Sequence, residues 1–278
     1  MNVRMALLVA SGLLVLTGGT LWVRDLNGAA ISATDLAAGD SLPVPPVPPR
    51  IAEGEDYERC MSMLESDPAG ANIFAEAWEA TGGGEGARHC HALSQVALGE
   101  PEAGAKMLET LAGTSKAPAV ARAAVYGQAD QAWLMAGMPE RALGAATLAL
   151  SLSSDDPDLL IDRSVASATL GRYDDAIEDL SRTLDLDSRR PDALVLRGAA
   201  WRHMGQLDLA QDDVDRAIKL DPENPEAFLE RGILRQRRGD RPGAKKDWML
   251  AMTLAPDSAT SDLAEQNLAL LEAGPARR

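Results

Sequence analysis

The segments LGRYDDAIEDL (170–180), MGQLDLAQDDV (204–214) and RGDRPGAKKDW (238–248) fall into line when the chain is stepped by 34 residues. Gly137, Gly171, Gly205 and Gly239 keep that spacing, as do Ala142, Ala176, Ala210 and Ala244, and Leu152, Leu186, Leu220 and Leu254. Each segment sets a glycine, which permits a tight turn, before an apolar pattern of helical period. Pro222 and Pro256 separate one unit from the next. A helical hairpin cannot bury its apolar face alone, so repeated hairpins must stack on one another. A second pattern runs in step. Arg163, Arg197 and Arg231 recur at the same interval, each 16 residues ahead of Asp179, Asp213 and Asp247. That spacing puts the arginine on the first helix and the carboxylate on the second, and predicts a bidentate ion pair inside each hairpin. Because the partners recur together, the arginine row reads as structural and not as a binding stripe.

These residues resemble the tetratricopeptide repeat family, whose unit is a helix–turn–helix of this length. Units counted from Ala123, Pro157, Pro191 and Pro225 place Asp130, Ser164, Gly198 and Gly232 where the family has a small eighth residue. Trp133, Ser167, Trp201 and Arg235 stand at the eleventh place, and Ala149, Thr183, Ala217 and Ala251 at the twenty-seventh. Ser154 and Ser188 replace the proline of the thirty-second place that Pro222 and Pro256 supply. The resemblance implies an all-α fold, a right-handed α–α superhelix of about six hairpins closed by a capping helix. It also implies a concave groove lined by first helices. Mapped onto this chain, that groove takes Ile161, Asp162, Val165, Val195, Ala199, Arg202, His203, Leu229, Glu230, Ile233 and Arg237, with Ala168, Thr169, Leu196 and Gln236 alongside. The Lys and Asn with which some members clamp a carboxylate terminus are missing. An aliphatic floor with charged rims suits an extended peptide or an amphipathic helix.

Outside the four regular units (123–258) the pattern is looser but helical. Residues 55–122 read as two divergent hairpins, with Tyr57, Cys60, Met61 and Leu64 on one helix and Ile73, Ala77 and Trp78 turned inward on the next. Residues 259–278 read as a capping helix and tail carrying Leu263, Leu270 and Leu271. At the other end, Arg4 precedes an uncharged run from Met5 to Val23. Basic-then-apolar order is the form of an export signal, and the run is also just long enough to cross a bilayer. Residues 1–24 are therefore expected to be a signal peptide or signal anchor, cleaved or retained, which places the rest in a bacterial periplasm, free or tethered. Residues 25–54 form a linker in which Leu42–Pro49 takes the polyproline II conformation as a stiff spacer.

The chain of 278 residues carries 42 acidic and 27 basic side chains, a net charge of −15. Nucleic acid is excluded by this balance, since phosphate binding needs clustered Lys and Arg. Membrane contact is expected only through the N-terminal run. The two cysteines, Cys60 and Cys90, fall on first helices of adjacent hairpins and are expected to form a disulfide in an oxidising compartment. His89 and His91 point about 200° apart on a helix, so they cannot share a metal ion. Gly82–Gly86 lacks the Lys-Ser/Thr of a phosphate loop and reads as a helix stop. The acidic run Asp155–Asp158 reads as helix capping, not calcium binding. Trp133, Trp201 and Trp248 read as core. Neither a catalytic group, a metal nor a cofactor is expected. The reading is a non-catalytic scaffold for a protein or peptide partner in the cell envelope. The alternatives are a structural homo-oligomer and, less favoured, an enzyme whose repeats hide a cluster of perturbed acids.

Overall fold

The structure, a computed structural model, describes residues 50–273. The expected export segment and the polyproline II spacer lie outside these. Among the described residues the chain is all-α, with thirteen helices and no strand. The first four are α1 (Glu55–Ser66), α2 (Pro68–Ala80), α3 (Gly84–Ala97) and α4 (Pro101–Thr114). Then come α5 (Ala119–Met135), α6 (Pro139–Leu152), α7 (Pro157–Thr169) and α8 (Tyr173–Leu186). The last five are α9 (Pro191–His203), α10 (Leu207–Leu220), α11 (Pro225–Arg237), α12 (Arg241–Leu254) and α13 (Ala259–Ala273). Each helix packs on the one before it and the one after, giving six hairpins and a final helix.

The recurring glycines close the first helix of each hairpin in the left-handed conformation, with φ of 70° at Gly137, 75° at Gly171, 76° at Gly205 and 85° at Gly239. At each end the glycine N–H and the next N–H reach back into the last turn. Gly205 N donates to Arg202 O at 3.1 Å and Gln206 N to Trp201 O at 2.9 Å, the paired bonds of a Schellman cap. Gly99 makes the same cap after α3, with Gly99 N on Val96 O and Glu100 N on Gln95 O. It escapes the 34-residue count because α5 has 17 residues where α7, α9 and α11 have 13, one extra turn. Proline opens α2, α4, α6, α7, α9 and α11, where its missing N–H loses nothing. Asp156 caps α7 by accepting from Asp158 N at 3.0 Å, so the acidic run there serves the helix end.

Inside the hairpins, Arg163 grips Asp179 through Nε at 2.8 Å and Nη2 at 2.6 Å. Arg197 holds Asp213 at 2.7 and 2.8 Å, and Arg231 holds Asp247 at 2.9 and 2.8 Å. All three carboxylates are buried. Arg197 also donates to Ser181 Oγ at 3.0 Å on α8, which ties its hairpin to the preceding one. Arg235 adds a second cation to Asp247 at 2.7 Å.

In the N-terminal hairpins, a disulfide joins Cys60 of α1 to Cys90 of α3, with Cα atoms 6.2 Å apart. The packed body begins before the first helix. Ile51 is buried against Tyr57's cluster, and the Arg50 guanidinium stands 4.9 Å over the Tyr57 ring. One sequence expectation here is corrected. On α2 the inward residues are Ala71 and Ala75, with Trp78 half-buried, while Ala77 is exposed and Ile73 is 68% exposed. Small residues face inward because α2 lies close against the disulfide-linked pair. On α13, Leu271 and Ala264 turn inward onto Trp248's cluster, while Leu263 and Leu270 are exposed. Trp133 and Trp248 are fully buried, but Trp201 is half-buried and lines an open surface pocket with Asp212, Arg216 and Lys219.

Two stability measurements test this account. Gly205→Ala forces a β-carbon into the left-handed region and is expected to cost about 1–2 kcal/mol in urea unfolding. Asp213→Ala leaves Arg197 without its partner and is expected to cost about 3 kcal/mol, whereas replacing both with Arg197→Met and Asp213→Leu restores stability to within ~1 kcal/mol. Equal losses in the single and double variants would show that the pair itself is not what matters.

Candidate functional site

A cleft of about 590 Å³ opens where α7, α8 and α9 meet. Val165 and Ala168 come from α7, Leu180 from α8, and Leu196 and Ala199 from α9. Leu263 of α13 lines the same cleft, so the array curves toward this side and α13 closes one end of the concavity. The lining is mostly aliphatic. Its titratable members are Tyr173 and His203, whose rings stack with centroids 4.6 Å apart and planes 12° from parallel. Partial burial, then the Arg202 charge, holds the His203 imidazole below its usual range.

The structure sorts the expected groove residues into three groups. Val165, Ala199 and His203 line the cleft, with Ala168, Thr169 and Leu196. Six others are taken up by packing or pairing. Val195 is buried, Ile161 packs on the Leu180–Leu194 cluster, and Leu229 and Ile233 pack on the Phe228–Trp248 cluster. Glu230 is buried too, its carboxylate gripped by Arg202, whose side chain is only 11% exposed. Arg202 and Glu230 are thus a rivet between α9 and α11, not free rim charges for a ligand. Arg237 is exposed at the end of α11, beyond the cleft. Asp162 lies in the seam between α5 and α7. Sequence reasoning missed Leu263, Tyr173 and Leu180. Leu263 was within reach, because it occupies the fifth place of a further unit counted on from Ala259.

The seam holds a feature that the sequence concealed. Asp130, in the eighth place of the unit counted from Ala123, is fully buried, and neither carboxyl oxygen has a hydrogen-bond partner. Burial, then the charge of Asp162, raises its carboxyl to about 8. Asp162 is raised to about 6, mainly by burial, with Gln131 donating to it at 3.3 and 3.4 Å. Two perturbed acids are therefore clustered where the sequence reading expected none.

The histidines are engaged separately. Burial holds His89 neutral: Tyr57 Oη–H donates to Nδ1 at 2.7 Å, and Nε2–H donates to Gln128 Oε1 at 2.6 Å. His91 instead faces Glu76 and Glu79 of α2 at 3.6 and 3.5 Å. No metal-binding group of three or more His, Cys, Asp or Glu side chains occurs among the described residues. Nor, among them, is any helix long and apolar enough to cross a membrane.

Comparison with known proteins agrees with the geometry. Residues 168–225 match the tetratricopeptide repeat profile, and the described residues stack as a helical solenoid. It is similar in fold to PilF of Pseudomonas aeruginosa, with TM-score 0.58, 14% identity, and 76% of this chain and 96% of that one covered. MamA aligns with TM-score 0.50 at 16% identity, over 64% of this chain and 97% of that one. The Cut9–Hcn1 hetero-tetramer of the APC/C aligns with TM-score 0.59 at 16% identity; 77% of this chain spans 42% of that one. No curated protein matches the sequence.

The buried acid yields a pH signature. The unfolded chain loses the Asp130 proton near the ordinary value of 3.8, while the folded chain keeps it until about 8. The folded state therefore binds more protons across that window, and stability falls as pH rises from 4 to 8. Asp130→Ala, which puts a small side chain at a place the other units fill with Ser or Gly, is expected to flatten this slope and to gain on the order of 2 kcal/mol at pH 8. Urea unfolding at pH 4.5 and pH 8 measures it; parallel slopes for the two proteins would refute the assignment.

Proposed function

We propose that this chain is a non-catalytic protein-interaction scaffold that holds a peptide segment or helix of a partner in its concave cleft. The observation that carries the reading is the aliphatic lining shared by α7, α8 and α9 and closed by Leu263. Apolar side chains in a concave, largely preformed cleft suit insertion of apolar anchors from a partner. The two hairpins that form the cleft, α7–α8 and α9–α10, are held by their own caps and by the Arg163–Asp179 and Arg197–Asp213 pairs, which limits the ordering cost of binding. The expected export segment at 1–24 supports a place in the bacterial cell envelope, and the Cys60–Cys90 disulfide suits an oxidising compartment.

The test uses crosslinking in the native cell and mass spectrometry, comparing the wild-type chain with Val165→Glu and Leu196→Glu. Both variants are expected to keep the wild-type helical signal and to lose at least tenfold of the crosslinked partner. Leu148→Glu, at an exposed position on α6, is expected to retain it. Equal retention by all three would remove the cleft from the account.

A further inference from the structure

A second cavity, of about 280 Å³ and open to solvent, lies where α6 meets the α7–α8 hairpin. Its floor is Leu150 and Leu160, both buried. Thr147, Ser151 and Ser154 bring hydroxyl groups to it from α6 and the loop that follows, and Arg163 of α7 and Arg182 of α8 bring guanidinium groups. Among the described residues, no Asp or Glu lines it. Leu160 and Arg163 stand on another side of α7 from Val165 and Ala168, so this cavity is separate from the apolar cleft.

The repeat shows what sets this seam apart. Thr147, Ser181 and Asp215 recur at intervals of 34, each 16 residues ahead of Arg163, Arg197 and Arg231. Between α8 and α9, Arg197 Nη1 donates to Ser181 Oγ at 3.0 Å. Between α6 and α7 the corresponding bond is missing. Thr147 turns its hydroxyl back onto Leu143 O at 2.7 Å. Arg163 spends Nε and Nη2 on Asp179, and its Nη1 makes no hydrogen bond among the described residues. Arg182 uses Nη2 alone, on Asp155, which leaves its Nε and Nη1 unused there. Asp155 is 65% exposed, so this pair lies in water and contributes little. The Thr147 and Ser151 hydroxyls donate to carbonyls of their own helix, and each can rotate onto a stronger acceptor.

We propose that this cavity binds a tetrahedral oxyanion, a phosphate or sulfate group, either as the free ion or at the end of a small ester. Guanidinium donors from α7 and α8 and hydroxyl donors from α6 approach from three sides, which suits a tetrahedral acceptor better than a planar carboxylate. Asp155 yields Arg182 as the anion arrives. Asp179 keeps its two bonds to Arg163, so the hairpin stays locked and the attraction comes chiefly from Arg182. Neither the apolar cleft nor its partner is needed for this binding.

The experiment titrates the full chain at constant ionic strength and follows the Leu150 and Leu160 methyl groups and the Arg182 Nε–H by NMR. The probes are sodium phosphate, sodium sulfate, glycerol 3-phosphate and sodium acetate. Phosphate and sulfate are expected to move all three signals saturably, and acetate to leave them in place. A matching response to glycerol 3-phosphate supports the site with esters among its ligands; its absence supports the site with the free ion alone. Arg182→Gln is expected to raise the half-saturating phosphate concentration about tenfold, the loss of a charge-assisted hydrogen bond, with the urea midpoint unchanged. Thr147→Asp, which copies Asp215, is expected to abolish binding, while Leu148→Asp, the same charge on the exposed neighbouring position, is expected to retain it. Shifts that never saturate, or that acetate reproduces, would mean an adventitious ion only and would overturn the proposal. Equal weakening by Thr147→Asp and Leu148→Asp would overturn it too, since overall charge and not this cavity would then govern the response.

Discussion

Where Gly232 meets Trp248, a β-carbon would come within 2.3 Å of the indole nitrogen, and at Gly198 one would come within 2.9 Å of Val214 Cγ2. The two helices of a hairpin lie that close. Close approach is the constraint on which the rest depends, because it lets two short helices cover each other's apolar faces. It also brings the first-helix arginine within bidentate reach of the second-helix aspartate. A larger residue at the eighth place would push the helices apart and stretch the ion pair with the same movement. Packing and electrostatics are thus coupled through one small side chain per unit.

The unit at α5–α6 shows what happens when that rule is relaxed. Ala129 and Ala145 occupy the places of the arginine and aspartate, and Asp130 occupies the small place. The ion pair is gone, and a carboxylate is enclosed without partners. Neighbouring units stay regular, since each hairpin contacts only those beside it and a local irregularity does not propagate along the stack. A repeat array can therefore carry one unit that is poor for stability and available for another task.

Much of the fold was legible in the residues because its determinants are local. The Schellman glycines, the N1 prolines and the arginine–aspartate interval all act within a single 34-residue unit. The upstream hairpins were harder to place, since α5 carries an extra turn that shifts Gly99 out of register. On α2, Ile73 was misread as inward because hydrophobicity outweighed size, while the close packing there selects Ala71 and Ala75.

The groove was legible only in part, and the reason is physical. Place in the unit tells which side of a helix faces the concavity, and Val165, Ala199 and His203 of that side line the cleft. Whether a residue on that side stays free depends on what the adjacent helix offers at the same level. Arg202 and Glu230 lie 28 residues apart in different units and consume each other; Val195 disappears under its neighbours. Leu263 enters the cleft only because the array curves, a property of the whole stack. Sequence alone determined the period, the hairpin caps and the ion pairs, which are short-range and repeat by spacing. Only tertiary structure decided which groove residues remain open and that Asp130 is sealed in without a partner, because burial and field are sums over neighbours brought together by folding.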